Sequence, residues 1–126
     1  MRAVETNVLL RLLTRDDEAQ VRSAEAFIET GAWVSHLVMA ETTWVLGAVY
    51  GLTHPAIATA VEMLLKHKSL TLQEADVVSA ALTHYRRKPT LGFSDCLVLE
   101  IARKAGHLPL GTFDKSLGAL EHAKRL

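Results

Sequence analysis

Only one cysteine, Cys96, occurs in the 126 residues, so no intramolecular disulfide can staple the fold. No apolar run approaches the roughly 20 residues that a membrane-spanning helix needs, and the N-terminus lacks the pattern of a secretory signal. A soluble protein in a reducing cytoplasm is the expectation. An excess of charge of one sign is also missing. Fourteen Lys and Arg balance fourteen Asp and Glu, so no global field recruits nucleic acid, and any such contact must rely on a local patch. There is no glycine-rich phosphate loop and no HExxH or paired spacing among the six histidines, and neither repeats nor low-complexity segments occur.

What is present suits one domain, residues 1–126, since 49% hydrophobic and 22% charged residues are the proportions of a chain with a full core. Short apolar runs at Arg2–Glu5, Trp33–Val34, Leu70–Leu72 and Leu108–Leu110 read as strands. Helical patterns fill the intervals: Val8–Leu13, Asp16–Thr30, Leu37–Tyr50, Thr53–Lys68, Glu74–Arg87, a helix capped by Ser94 and running to Ala105, and a short last one after Asp114. Strand and helix alternate, which predicts an α/β fold with a central, mostly parallel sheet between helical layers.

Several acids have a cation four positions later, as in Glu62 with Lys66 and Glu100 with Lys104, the pattern of a solvated helix face. Four do not fit it so easily. Glu41 and Asp95 lie inside apolar helix patterns, and Glu5 and Asp114 follow strands, where parallel sheets place their ligand sites. Carboxylates buried together repel one another and call for protons or a cation, so a divalent metal site is predicted. Taken singly, Glu5 and Asp114 also read as turn residues, Asp95 as a favourable helix N-terminal charge, and Glu41 as an acid satisfied by Thr42 or Thr43.

The runs Val4-Glu5-Thr6-Asn7-Val8-Leu9, Ala40-Glu41-Thr42-Thr43-Trp44-Val45-Leu46, Phe93-Ser94-Asp95 and Thr112-Phe113-Asp114, in this order over essentially the whole chain, resemble the PIN-domain ribonucleases, especially VapC toxins of bacterial toxin–antitoxin pairs. The resemblance implies a three-layer α/β/α fold and an endoribonuclease in which Glu5, Glu41, Asp95 and Asp114 hold Mg²⁺ or Mn²⁺. Asn7, Ser94 and Thr112 would support them. It also implies an RNA substrate, a VapB-type antitoxin and a homodimer. Where the family pattern has Asp-Thr-Asn, this chain has Glu5-Thr6-Asn7. The carboxylate is one methylene further out, and Mg²⁺ demands near-ideal octahedral geometry, so impaired activity is expected.

Arg11, Arg15 and Lys115, with Arg86, Arg87 and Lys88, are candidate RNA contacts, and the surplus of apolar residues at Trp44–Leu46, Val49 and Tyr50 suggests a dimer or antitoxin interface. Cys96 reads as a small buried thiol, and the histidines as surface or cap residues. A catalytically silent PIN-like module that binds RNA or a protein is the competing reading. A phosphoacceptor receiver-like domain fits less well, because one acid is in mid-helix and no lysine is clearly placed for phosphate.

Overall fold

The computed structural model describes residues 1–126. The chain order is β1 (Arg2–Ala3), α1 (Thr6–Thr14), α2 (Glu18–Ile28), β2 (Ala32–Val34), α3 (His36–Ala48), α4 (His54–Lys66), β3 (Leu70–Leu72), α5 (Ala75–Arg87), α6 (Phe93–Ala105), β4 (Leu110–Thr112), α7 (Lys115–Gly118) and β5 (Ala123–Arg125). Strands β1, β2 and β3 pair in that order, all parallel, with Ala3 opposite Trp33 and Trp33 opposite Thr71. Strands β4 and β5 form a second parallel ladder, with Leu110 opposite Ala123. The predicted α/β architecture with parallel strands is what the chain adopts, and it is consistent with the α/β/α arrangement. No helix is long and apolar enough to cross a membrane.

Local chemistry starts and stops these helices. Asp17 accepts from the Gln20 amide to cap α2, Ser35 from Val38 to cap α3, and Thr53 from Ala56 to cap α4, where Pro55 occupies the first turn. Gly106, at φ 84°, ends α6 with its amide turned back to Ala102 and Arg103, a left-handed conformation that glycine adopts without a Cβ clash. The core is one cluster that includes Val34 of β2, Leu72 of β3, Leu9 of α1, Met39 and Leu46 of α3, Val77 and Val78 of α5, and Leu97 and Leu99 of α6.

Several details depart from the sequence pattern. Helix α6 begins at Phe93 with Gly92 in the cap position, so Ser94 sits inside the first turn and caps nothing. The fourth strand lies at Leu110–Thr112 rather than Leu108–Leu110, because Pro109 has no N–H to give a ladder. β5, with its exposed Lys124 and Arg125, carried no alternating apolar signal at all. Glu100 is only 4% exposed rather than a surface residue, and both its oxygens accept from Arg103 Nε at 3.0 Å while Lys104 goes to Asp76. His36 is also buried, with Nε2 unpartnered.

Gly118 fixes how β5 returns against α7. A Cβ there would stand 2.7 Å from Arg125 Cβ and 3.2 Å from its Cα, closer than backbone can tolerate. Gly118→Ala is therefore expected to destabilise the protein by about 1–3 kcal/mol through overpacking, seen as a lower urea midpoint at unchanged m-value.

Candidate metal centre

Three of the four acids are placed by the end of a strand or the start of a helix, and Glu41 lies in the middle of α3. Glu5 follows β1 and is itself the N-cap of α1, with Oε1 accepting from the Asn7 amide at 3.0 Å. Asp, Asn, Ser and Thr usually take this position, and the longer side chain of Glu5 still reaches it. Asp114 follows β4 and caps α7, accepting from the Leu117 amide at 2.7 Å, while its own amide donates to Thr112 Oγ1 at 3.0 Å. Thr112 thus supports the loop that carries Asp114.

Asp95 lies at the third position of α6, half-buried. Burial raises its pKa, the nearby negative charge of Asp114 raises it further, and the Gly92 amide opposes the rise. Asp95 and Asp114 are therefore close enough to repel. Cys96, the next residue, is fully buried, and burial first and the Asp95 charge second push its thiol up to about 12. Such a thiol is no nucleophile.

Glu41 is exposed on α3 and takes part in no hydrogen bond or ion pair, so the alternative reading of an acid satisfied by Thr42 or Thr43 does not hold. Thr43 Oγ1 turns back to the Met39 and Ala40 carbonyls, and Thr42 Oγ1 is buried without a partner. The residues one turn to either side of Glu41 on its helix face, Leu37 and Trp44, are 78% and 66% exposed. Its surroundings are an open apolar surface, not a core. Phe113, beside Asp114, is 80% exposed.

The chain's 126 residues match the sequence profile of the PIN domain over residues 3–123. It belongs to the PIN domain family. A search of curated proteins returns no match. PIN domains are generally nucleases that use divalent metal ions, and membership of the family suggests a nuclease-type function.

Asp95 and Asp114 fit such a cation in charge and donor chemistry, since hard carboxylate oxygens suit Mg²⁺ and Mn²⁺ and a cation would relieve the repulsion that raises Asp95. No group of three or more acids, histidines or cysteines is gathered in a metal-holding arrangement. Asn7 and Ser94 are exposed beside Glu5 and Asp95, and neither side chain makes a hydrogen bond within the protein.

The expected RNA contacts fare unequally. Arg11 is tied down: its Nη1 pairs with Asp16 at 2.6 Å and its Nη2 donates to the Tyr50 hydroxyl at 2.9 Å, so it is an internal brace between α1 and the end of α3. Arg15 faces Glu25 at 3.6 Å, Arg86 pairs with Glu62, and Lys88 donates to the Ser116 carbonyl. Lys115 and Arg87 are exposed and belong to no ion pair. Gln73 had no distinctive sequence signal, yet its Oε1 accepts from the His36 amide at 2.9 Å and so fixes the first turn of α3, the helix that carries Glu41.

The sign of the Asp95 shift sets its pH dependence. Its folded pKa lies above the unfolded one, so Asp95 costs the fold nothing below the unfolded pKa, and the cost grows as pH rises through the interval up to the folded pKa. Asp95→Asn is accordingly expected to raise Tm in EDTA at pH 7 and to leave it unchanged near pH 2. Thermal melts across that range check it, and an equal rise at both ends would contradict the charge origin.

Proposed function

We propose that this PIN domain is a metal-dependent endoribonuclease, the toxin of a VapBC-type toxin–antitoxin pair. The observation that carries the reading is the match to a family of metal-dependent nucleases over residues 3–123, and the neighbouring carboxylates of Asp95 in the first turn of α6 and Asp114 after β4 support it. With Glu5 and Glu41 they are the residues assigned to hold Mg²⁺ or Mn²⁺. When bound, the ion supplies Lewis acidity and activates water for attack on phosphorus.

The chain's own groups have distinct parts. Asp95 and Asp114 provide the charge that attracts the cation, and Thr112 holds the Asp114 loop. Glu5 has one oxygen on the Asn7 amide, which leaves the other for the cation. Ser94 and Asn7 offer open polar groups beside these acids. Lys115 and Arg87, free of internal partners, are the cations best suited to an RNA phosphate, and Arg15 is a weaker contributor.

Leu37, Trp44 and Phe113 near the acids are the exposed apolar residues that a VapB-type antitoxin or a second copy would cover. A cytoplasmic location accords with the single, buried Cys96.

Manganese-dependent cleavage of a mixed RNA panel tests this. Asp95→Asn and Asp114→Asn are each expected to lower the rate on the order of 10²-fold or more, as loss of a charge-stabilising group does. Glu5→Asp is expected to raise it, because the shorter carboxylate restores the family geometry. Cleavage indifferent to all three substitutions would refute the assignment, whereas binding of RNA without cleavage by any variant would make the chain a silent RNA-binding module.

A further inference from the structure

A groove of about 310 Å³ runs between α1 and α2, with Glu5 in its wall. Asn7 and Arg11 line it from α1, and Gln20, Ser23 and Phe27 from α2. On α2, Gln20, Ser23, Ala24 and Phe27 have the spacing of a single helix face. Such a seam between packed helices is ordinarily apolar, yet here Gln20 and Ser23 occupy it and remain exposed beside buried Ala24.

The side chains of Asn7, Gln20 and Ser23 along this groove are unspent. Asn7 and Gln20 use only their backbone amides, on the Glu5 and Asp17 carboxylates, so both side-chain amides are open. Ser23 makes no side-chain hydrogen bond. Arg11 is held rigid by Asp16 and Tyr50, and its Nε is buried with no acceptor. Phe27 is anchored by Arg2, whose guanidinium lies 3.9 Å from its ring centre and donates to its carbonyl.

We infer that this groove is a nucleoside subsite, seating the base and ribose of one nucleotide of single-stranded RNA beside Glu5. Carboxamides carry donor and acceptor together and match the edge of a base, and unpaired RNA offers those edges for reading. Gln20, Asn7 and Ser23 meet the polar edge, while Val8 and Phe27 supply apolar contact. The volume, about 310 Å³, suits a small ligand. A phosphate is not what the groove selects, since the Arg11 charge is already answered by Asp16 and Glu5 is negative. The subsite rests on the ribonuclease reading and adds to it a preference for one base of the bound RNA.

Fluorescence anisotropy with short labelled oligo-U, oligo-C and oligo-A, in EDTA so that no cleavage intervenes, tests the subsite. The wild-type chain should prefer one sequence. Gln20→Ala/Ser23→Ala should bind it roughly tenfold less tightly and lose the preference, as the loss of base-edge contacts predicts. Ser23→Leu, which fills the groove mouth at an exposed position, should do the same with an unchanged Tm. A wild type without sequence preference, or variants that match the wild type in affinity and cleavage pattern, would overturn the subsite. If those variants instead lose only their grip on an antitoxin peptide, the groove belongs to a protein partner and the inference is wrong. A wild type that shows the preference but cleaves no RNA in Mn²⁺ supports the subsite and removes the nuclease; cleavage with indifferent variants does the reverse.

Discussion

Parallel strands cannot be joined by tight turns, and that constraint arranges the rest of this molecule. Each step from β1 to β2 to β3 needs a long crossover, which here is a pair of helices. The chain therefore leaves every strand at the same edge of the sheet and enters a helix almost at once. Glu5 after β1, Ser35 after β2 and Gln73 after β3 all occupy such exits, and Asp114 takes the equivalent place after β4. Polar groups collect at this edge because helix starts need acceptors for their free amides.

Two of the four acids accordingly serve twice. Glu5 and Asp114 cap helices, and the same bonds that satisfy the Asn7 and Leu117 amides hold the carboxylates still. The helix dipole favours negative charge at these positions, though only by a few tenths to one kcal/mol. Asp95 shows the limit of that compensation. Even with the Gly92 amide in its favour, burial and Asp114 leave its charged form disfavoured. A cation would satisfy both carboxylates at once.

Helix α3 links this chemistry to recognition. One side, with Met39, Thr42, Thr43 and Leu46, is buried in the core. The other presents Glu41 between exposed Leu37 and Trp44, so an acid of the candidate centre shares its surface with apolar groups. Val45 and Tyr50, which the sequence offered as further interface, are instead half-buried, and Tyr50 is committed to the Arg11 and Asp16 network. The apolar excess of α3 is thus divided between core and surface.

The alternation of elements, the parallel fold and the family were legible in the sequence, because apolar periodicity and the motifs around Glu5, Glu41, Asp95 and Asp114 are local signals. So was the inert nature of Cys96. Other features depended on contacts between distant segments. Periodicity placed Glu41 in an apolar pattern, but only packing decided that its face is outside. An i, i+4 cation made Glu100 look solvated, while the meeting of α5 and α6 buried it. Arg11 looked free for RNA until Asp16 and Tyr50 came within reach of it. Strand β5 exists only because β4 offers it a ladder. The sequence alone determined which groups this protein has and how each segment folds, since those follow from nearest-neighbour chemistry. The tertiary structure alone decided which charges are paired, buried or open, because Coulomb and desolvation energies depend on distances that chain order does not specify.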